Sequence, residues 1–440
     1  MRVIHLLRKF DPAEWGGTET AVERLFDGLR QHDVTPVMFC PYVNDHETRT
    51  ATTVSGDQNV RADPNRLAPT ESPVGNPGDI KRFKTCVPTW GISRQEKRQF
   101  IALGGNLMSF DLLPALWREP DVALVHTHTL GRLGGIASAV ARGRGLPFVV
   151  SIHGGLLDVP PALKKTFVGP SRRSLEWGKI FGLLLQSRRL IHHADAVLAC
   201  NLTEAELLRK NYPGKRIIVQ PHGIHTGPYQ QDHRATARAA FPQICERDVL
   251  LCAGRIDPVK NQRWLIDHAP QIFRDHPKAL LVLAGACTNE AYGQDLAHRI
   301  RDLGLGHRVL RTGGLPPGDP RLIGLIQESC AVLLPSISET FGLIVLEAWA
   351  AGTTVISSRT SGASALIQDG ENGWLFDLSD PRSFHQAVSG ALLNPGLRTR
   401  LAESGRKLVN SKYDVISVAG RVKQLYTELI EEKHALRHSA

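Results

Sequence analysis

The apolar run 331–334 (AVLL) has the length of a buried strand, and Pro335 with Ser336 and Ser338 stops it. Gly342 then opens an apolar stretch that lasts to Ala351 before Gly352 ends it, enough for about three helical turns. Strand, short loop and helix in that order are the unit of a parallel α/β sheet, where ligands sit beyond the carboxyl ends of the strands. The first amides of this helix, near Phe341, Gly342 and Leu343, have no partner inside it and carry the positive end of its dipole, so they suit a phosphate. Glu339 lies in the loop before the helix, and Glu347 about five residues inside it, roughly 7 Å further along the axis. A ligand with hydroxyls on both sides of a diphosphate could meet both carboxylates. The plainer alternative is an ordinary helix start with two solvated acids.

The rest of the chain repeats the unit. Residues 1–7 read as a first buried strand; Gly16 and Gly17 make a flexible turn before a helix with Ala21, Val22, Leu25, Phe26 and Leu29 at helical spacing and Thr18 as its cap. Strand-like stretches at 82–87, 122–126, 148–152 and 194–199 alternate with helical ones, and Asn201 with Glu204 resembles a helix cap. Tyr212-Pro213-Gly214-Lys215 breaks the chain, which sets the expected domains at 1–212 and 213–414. Further strands are expected at 249–253, 280–284, 309–311 and 354–357, and a turn at 369–373 leads into another. A long helical pattern runs from Val415 to about Glu432 and heads a last segment, 415–440.

With 440 residues the chain can hold two or three domains. No run of about 18 apolar residues is present, and the start MRVIHLLRKF is too soon charged for a secretory signal, so a cytoplasmic protein is expected. Seven scattered cysteines with no CxxC read as small buried residues in a reducing compartment. The formal charge of +10 favours an acidic partner such as a nucleotide, a phosphate or an anionic lipid. No zinc finger, RNA-recognition signature or aromatic-interleaved basic stripe occurs, and nucleic acid is not expected.

Four places could carry chemistry. Arg255 and Lys260, in the loop after strand 249–253, are placed to clamp a diphosphate, the arginine as a fork and the lysine as a mobile point charge. His153 follows a strand and precedes Gly154 and Gly155, where an imidazole can reach a sugar hydroxyl or developing charge. His126 and His128 also end a strand, but without a third nearby ligand they read as satisfied structural histidines rather than a metal pair. Segment 160–190 carries seven basic residues and one acid, Glu176, among Phe167, Trp177, Phe181 and several leucines; it suits either an anionic membrane surface or a core helix with a solvated basic face. The stretch 44–78, rich in Asp, Asn, Pro, Thr and Gly, reads as an exposed loop without chemistry.

The string PSISETFGLIVLEA, with seven residues between Glu339 and Glu347 on a strand-loop-helix, resembles the signature of the retaining glycosyltransferases of family 4. GRIDPVKN around Arg255 and Lys260 resembles that family's donor-binding string, and the resemblance covers nearly the whole chain apart from 44–78 and 160–190. It implies the GT-B fold: two Rossmann-like domains with parallel sheets facing a deep cleft, the last helix crossing back to the first domain. It also implies transfer of a hexosyl unit from a UDP- or GDP-sugar to a hydroxyl acceptor, a lipid-linked or growing saccharide of the cell surface. Roles carry over residue by residue. Gly16 and Gly17 face the donor phosphates, Arg255 and Lys260 hold the diphosphate, and the amides of Phe341, Gly342 and Leu343 assist them. Glu339 orients the sugar hydroxyls, Glu347 the ribose, and His153 stands beside the transferred sugar.

Two departures bear on specificity. Where the family often has Gly-Gly-x-x-Glu, this chain has Ser361-Gly362-Ala363-Ser364-Ala365; where it often has Asn-Gly-x-Asp, this chain has His222-Gly223-Ile224-His225. No DxD occurs, so no metal and no cofactor are expected. Rival readings are a sugar-nucleotide epimerase on the same fold and a non-catalytic nucleotide-sugar-binding protein.

Overall fold

The computed structural model describes residues 1–10, 16–42, 80–91, 93, 106–154 and 176–438. The stretch expected as an exposed loop, 44–78, lies outside them, as do Gly155 and the first part of segment 160–190. Thirteen strands form two sheets among the described residues, both parallel throughout. The first runs β3-β2-β1-β4-β5-β6-β7: β1 (Arg2–Leu6), β2 (Thr35–Pro41), β3 (Ile80–Phe83), β4 (Val122–Thr127), β5 (Phe148–Ile152), β6 (Ala196–Ala199) and β7 (Ile217–Val219). The second runs β10-β9-β8-β11-β12-β13: β8 (Asp248–Ala253), β9 (Ala279–Ala284), β10 (Val309–Gly313), β11 (Ser329–Leu334), β12 (Val355–Ser358) and β13 (Trp374–Phe376). The helices that matter for the site are α1 (Gly17–Arg30), α2 (Leu202–Asn211), α3 (Gln262–Asp275), α4 (Leu343–Ala350) and α5 (Val415–His438).

Strands such as β9 (ALLVLA) are buried at every residue because helices cover both faces of the sheet, which is why they appear in the sequence as unbroken apolar runs. In each sheet the strand order reverses between the strand that starts the domain and the one that follows its third: β1 beside β4, β8 beside β11. A crevice opens at such reversals, and the two sheets turn these ends toward each other. The two-sheet α/β architecture is the expected GT-B arrangement.

Two local expectations need correction. β7 pairs with β6 through Val197 to Ala199, so the chain leaves the first sheet after Val219 rather than at Tyr212; an apolar strand at a sheet edge outweighed the Pro-Gly break. α1 begins at Gly17 with Gly16 as its cap, and Thr18 lies in the first turn; Glu19 bonds back to the Gly16 amide at 3.1 Å.

The chain crosses between domains twice, side by side. Ile224 N–H donates to the Tyr413 carbonyl (2.9 Å), and Val415 N–H to the Ile224 carbonyl (3.1 Å). Beyond Val415, α5 returns to the first domain and buries Ala419, Val422, Leu425, Tyr426 and Leu429 against Val3, Leu29, Leu124, Val149 and Leu198. The fit is close: a Cβ on Gly28 of α1 would stand 2.6 Å from that of Ala419.

Candidate active site between the two sheets

β8 ends at Ala253, and the chain turns at Gly254 (φ +145°), whose carbonyl is so near Gly285 that a Cβ there would approach it to 1.9 Å. Backbones this close at two adjacent strand ends leave open space beyond them. Asp257 then folds the loop: its Oδ1 accepts from the amides of Val259 (2.9 Å) and Lys260 (3.0 Å), while Oδ2 holds the Arg255 guanidinium at 3.3 Å. Asn261, at φ +58°, donates its side-chain amide to the Pro335 carbonyl (3.1 Å), and Ile337 N–H reaches the Val259 carbonyl (2.8 Å). These bonds knit the loop after β8 to the loop after β11. The lysine and the first glutamate of the signature meet as a result: Lys260 Nζ donates to Glu339 Oε2. Both side chains keep some exposure, 22% and 16%.

Gly342 caps α4 with φ +90°, a conformation that other L-residues adopt at a cost. The helix is eight residues long, a little over two turns instead of the expected three, because Gly342 and Ala351 serve as its caps and stand outside it. The nearly buried Phe341 ring packs edge-on against His222, centroids 4.7 Å apart. Ser361-Gly362, where the family pattern differs, braces the signature loop: Gly362 N–H donates to the Glu339 carbonyl at 2.8 Å.

The first domain supplies the opposite wall. Gly16, Gly17, His153 and His222 line the same cleft of about 530 Å³ as Arg255, Lys260, Glu339, Phe341, Gly342, Leu343 and Glu347. Every residue expected in the site thus lies on one cavity. A Cβ on Gly17 would touch the Leu343 side chain at 3.9 Å, which places the glycine turn opposite the amino end of α4. The walls are bonded to each other as well: Thr340 Oγ1 donates to the His153 carbonyl (3.0 Å), and Asn201, the cap of α2, donates to the Thr340 carbonyl (2.6 Å).

Glu347 has a partner that periodicity does not reveal. Arg24 of α1 reaches across and binds Glu347 Oε1 at 2.7 Å, both side chains nearly buried. Thr340, Asp257, Arg24 and His222 are the residues that reading the sequence missed as parts of the site. Asp257 lay inside the quoted loop and His222 was visible as a departure from the family pattern; Arg24, 323 positions from Glu347, left no signal.

The imidazoles are neutral. Burial pushes His153 down to about 4. Burial also holds His5, His126, His128 and His222 well below the ordinary histidine value, each helped by a neighbouring imidazole. His5 is the third histidine that His126 and His128 lack in the sequence: the three rings come together across β1 and β4, their nitrogens within 4.8 Å of one another. All of these nitrogens except His5 Nε2 are hydrogen-bonded: His126 to the Tyr426 hydroxyl (2.6 Å) and Ser151 Oγ (2.7 Å), His128 to His5 (2.9 Å) and His153 (2.8 Å). The expectation that no third ligand lies near His126 and His128 is thereby corrected.

Two complementary family models match the chain, a glycosyl transferase 4-like domain over residues 16–223 and glycosyl transferases group 1 over residues 234–408. Together with the paired parallel sheets and the cleft between them, these matches support a GT-B glycosyltransferase of family 4-like type. Among its relatives, a D-inositol 3-phosphate glycosyltransferase of Acidothermus cellulolyticus is 30% identical over 301 residues, covering 64% of this chain and 62% of that protein. D-inositol 3-phosphate glycosyltransferase 2 of Catenulispora acidiphila is 28% identical over 380 residues, 82% of this chain and 83% of that one. The chain thus spans less than two thirds of the length of the first of these. Solved structures share the fold: Anabaena HepE in complex with UDP and glucose (TM-score 0.67, 18% identity, 97% and 100% of the two chains) and sucrose-phosphate synthase of Thermosynechococcus elongatus (TM-score 0.69, 19% identity, 98% and 99%).

Proposed function

We propose that the chain is a retaining, metal-independent hexosyltransferase that takes its sugar from a uridine diphosphate sugar and delivers it to a hydroxyl acceptor. The observation that carries this reading is the convergence of Arg255, Lys260, Glu339 and the amino end of α4 on one cleft, facing the Gly16-Gly17 turn. Two cations and a helix terminus suit the charge that builds on a departing diphosphate, and supply without a metal what a metal would otherwise supply. The bond between the anomeric carbon and the β-phosphate oxygen breaks, and its electron pair stays on the phosphate. The acceptor oxygen bonds to the anomeric carbon from the same face, and its proton passes to the departing phosphate oxygen. Glu339 and His153 orient the sugar, and Glu347 the ribose.

Uridine is favoured over guanosine because HepE, which shares the fold, binds UDP, glucose and UDP-glucose. The names of the sequence relatives favour a phosphorylated inositol as the first acceptor to try. A lipid-linked saccharide, reached from the inner face of the membrane, is the second. It is favoured by Ile180, Leu183 and Leu184, which stand exposed on the short helix Lys179–Leu184 beside Arg188 and Arg189, part of the basic segment 160–190. Among the described residues no helix is long and apolar enough to cross a membrane.

The test is thermal stabilisation by a panel of UDP, GDP and their sugars, followed by transfer assays with inositol phosphates and lipid-linked acceptors and NMR of the anomeric proton of the product. Stabilisation by a UDP-sugar and a product of unchanged anomeric configuration are expected. Absence of any shift, or an inverted product, would overturn the reading; a sugar epimerised without acceptor would point to the epimerase rival.

A further inference from the structure

His153 is the front of a file of three imidazoles that runs from the cleft into the first domain. His153 Nε2 lies 2.8 Å from His128 Nδ1, and His128 Nε2 lies 2.9 Å from His5 Nδ1. The two end nitrogens, His153 Nδ1 and His5 Nε2, are buried and have no hydrogen-bond partner in the protein. All three rings are neutral, so each carries one proton on one of its two nitrogens.

That proton count leaves two arrangements. Each contact in the file needs one N–H and one lone pair. If His128 donates from Nδ1, its Nε2 is bare and must accept from His5 Nδ1–H, while His153 has a bare Nε2 and an N–H at Nδ1. If His128 instead donates from Nε2, His153 donates from Nε2 and presents a bare Nδ1. The three rings therefore share one tautomer, and a mixed file loses a buried hydrogen bond.

We propose that His128 and His5 are positioning residues for His153: the file fixes the orientation and tautomer of a ring that lines the cleft. The proposal rests on the reading of His153 as a residue of the sugar site. Metal ligation by His128 is the competing use of its nitrogens, since both are committed to the file.

The experiment is ¹⁵N NMR of the histidine side chains in the intact protein, with activity of His128→Phe, His128→Gln, His5→Phe and His153→Ala variants. In the unsubstituted protein His5, His128 and His153 are expected in one shared tautomer; differing or rapidly averaged tautomers would overturn the file. His128→Phe, which keeps ring volume, is expected to lower kcat by about tenfold to a hundredfold, the range for removal of a partner behind a site residue, with KM for the UDP-sugar little changed. His128→Gln, whose amide both donates and accepts, should restore much of the loss. Equal loss in the Gln and Phe variants would refute positioning by hydrogen bonding. A tightly held metal that disappears in His5→Phe and His128→Phe would also refute it. Full activity of His153→Ala would instead sink the assignment of His153 to the sugar site and leave the NMR result standing.

Discussion

Replacing Lys260 with Ala should separate catalysis from stability. Lys260 Nζ and Glu339 form an ion pair whose members keep 22% and 16% of their side-chain exposure, so water screens it and its contribution to folding should not exceed about 1 kcal/mol. The loop does not depend on the ammonium, since it is folded by the Asp257 carboxylate on the Val259 and Lys260 amides and by the Asn261 to Pro335 bond. In the transition state the same group faces charge on the departing diphosphate. Loss of one such donor costs about 10² to 10³ in kcat, or about 2.7–4 kcal/mol. Removing it also leaves Glu339 unpaired beside the diphosphate, which pushes the loss toward the upper end. The assay is turnover of a UDP-sugar alongside denaturant unfolding. A fall of more than a hundredfold in kcat with an unfolding free energy within about 1 kcal/mol of the original is expected. A loss under tenfold, or one matched by a large drop in stability, would refute the assignment of leaving-group stabilisation to Lys260.

Arg24→Met leaves the Glu347 carboxylate unpaired in a nearly buried place and should destabilise by about 3 kcal/mol, with Glu347→Gln in the same chain restoring most of it; a double-mutant cycle in urea measures both. Gly285→Ala places a Cβ 1.9 Å from the Gly254 carbonyl and should force the ends of β8 and β9 apart, costing about 1–3 kcal/mol and weakening UDP binding, which calorimetry with UDP reads directly. Acid should unfold the protein steeply. The folded state holds His5, His126, His128, His153 and His222 neutral while the unfolded chain protonates them near 6.5, so their contribution is complete above that pH and is lost as pH falls toward about 4, the His153 value. The slope is about 1.4 kcal/mol per pH unit for each histidine, and a midpoint that stays level between pH 7 and 5 would contradict it.

Most of the second sheet was legible because β8, β9 and β11 are buried almost throughout and show as apolar runs followed by glycine or proline. β2 (TPVMFCP) was not, since Pro36 and Pro41 bracket it. Pro36 is tolerated because β3 pairs with β2 only from Met38 onward, so its missing N–H falls where one side of the strand is open. The boundary at Tyr212 failed for a related reason: a three-residue strand, β7, is too short to announce itself beside a Pro-Gly turn. Within the site, residues on strand-end loops were readable from their chemical type and their order along the chain. Residues that act through distant partners were not: Arg24 sits among the helical positions of α1, and His5 inside an apolar strand. Nothing local marks either as the partner of a residue far along the chain.

The charges of the cleft are already paired. Lys260 holds Glu339, Arg255 holds Asp257, and Arg24 holds Glu347, so three cations face three carboxylates. On the proposed reading a donor sugar does not enter a ready-made positive pocket; it exchanges partners. The diphosphate draws Lys260 from Glu339, and the carboxylate so released turns to the sugar hydroxyls. That exchange couples the two halves of the ligand: a nucleoside diphosphate without its sugar leaves Glu339 unpaired beside added negative charge, whereas the sugar supplies the hydroxyls that satisfy it. The Arg24–Glu347 pair works differently, because its members come from different domains and lie nearly out of water. Together with the Thr340 and Asn201 hydrogen bonds, it fastens the two walls of the cleft to each other. Entry of the donor therefore has to trade against contacts between the domains as well as within the loop, and binding energy spent in this way appears as precise placement of the sugar rather than as affinity.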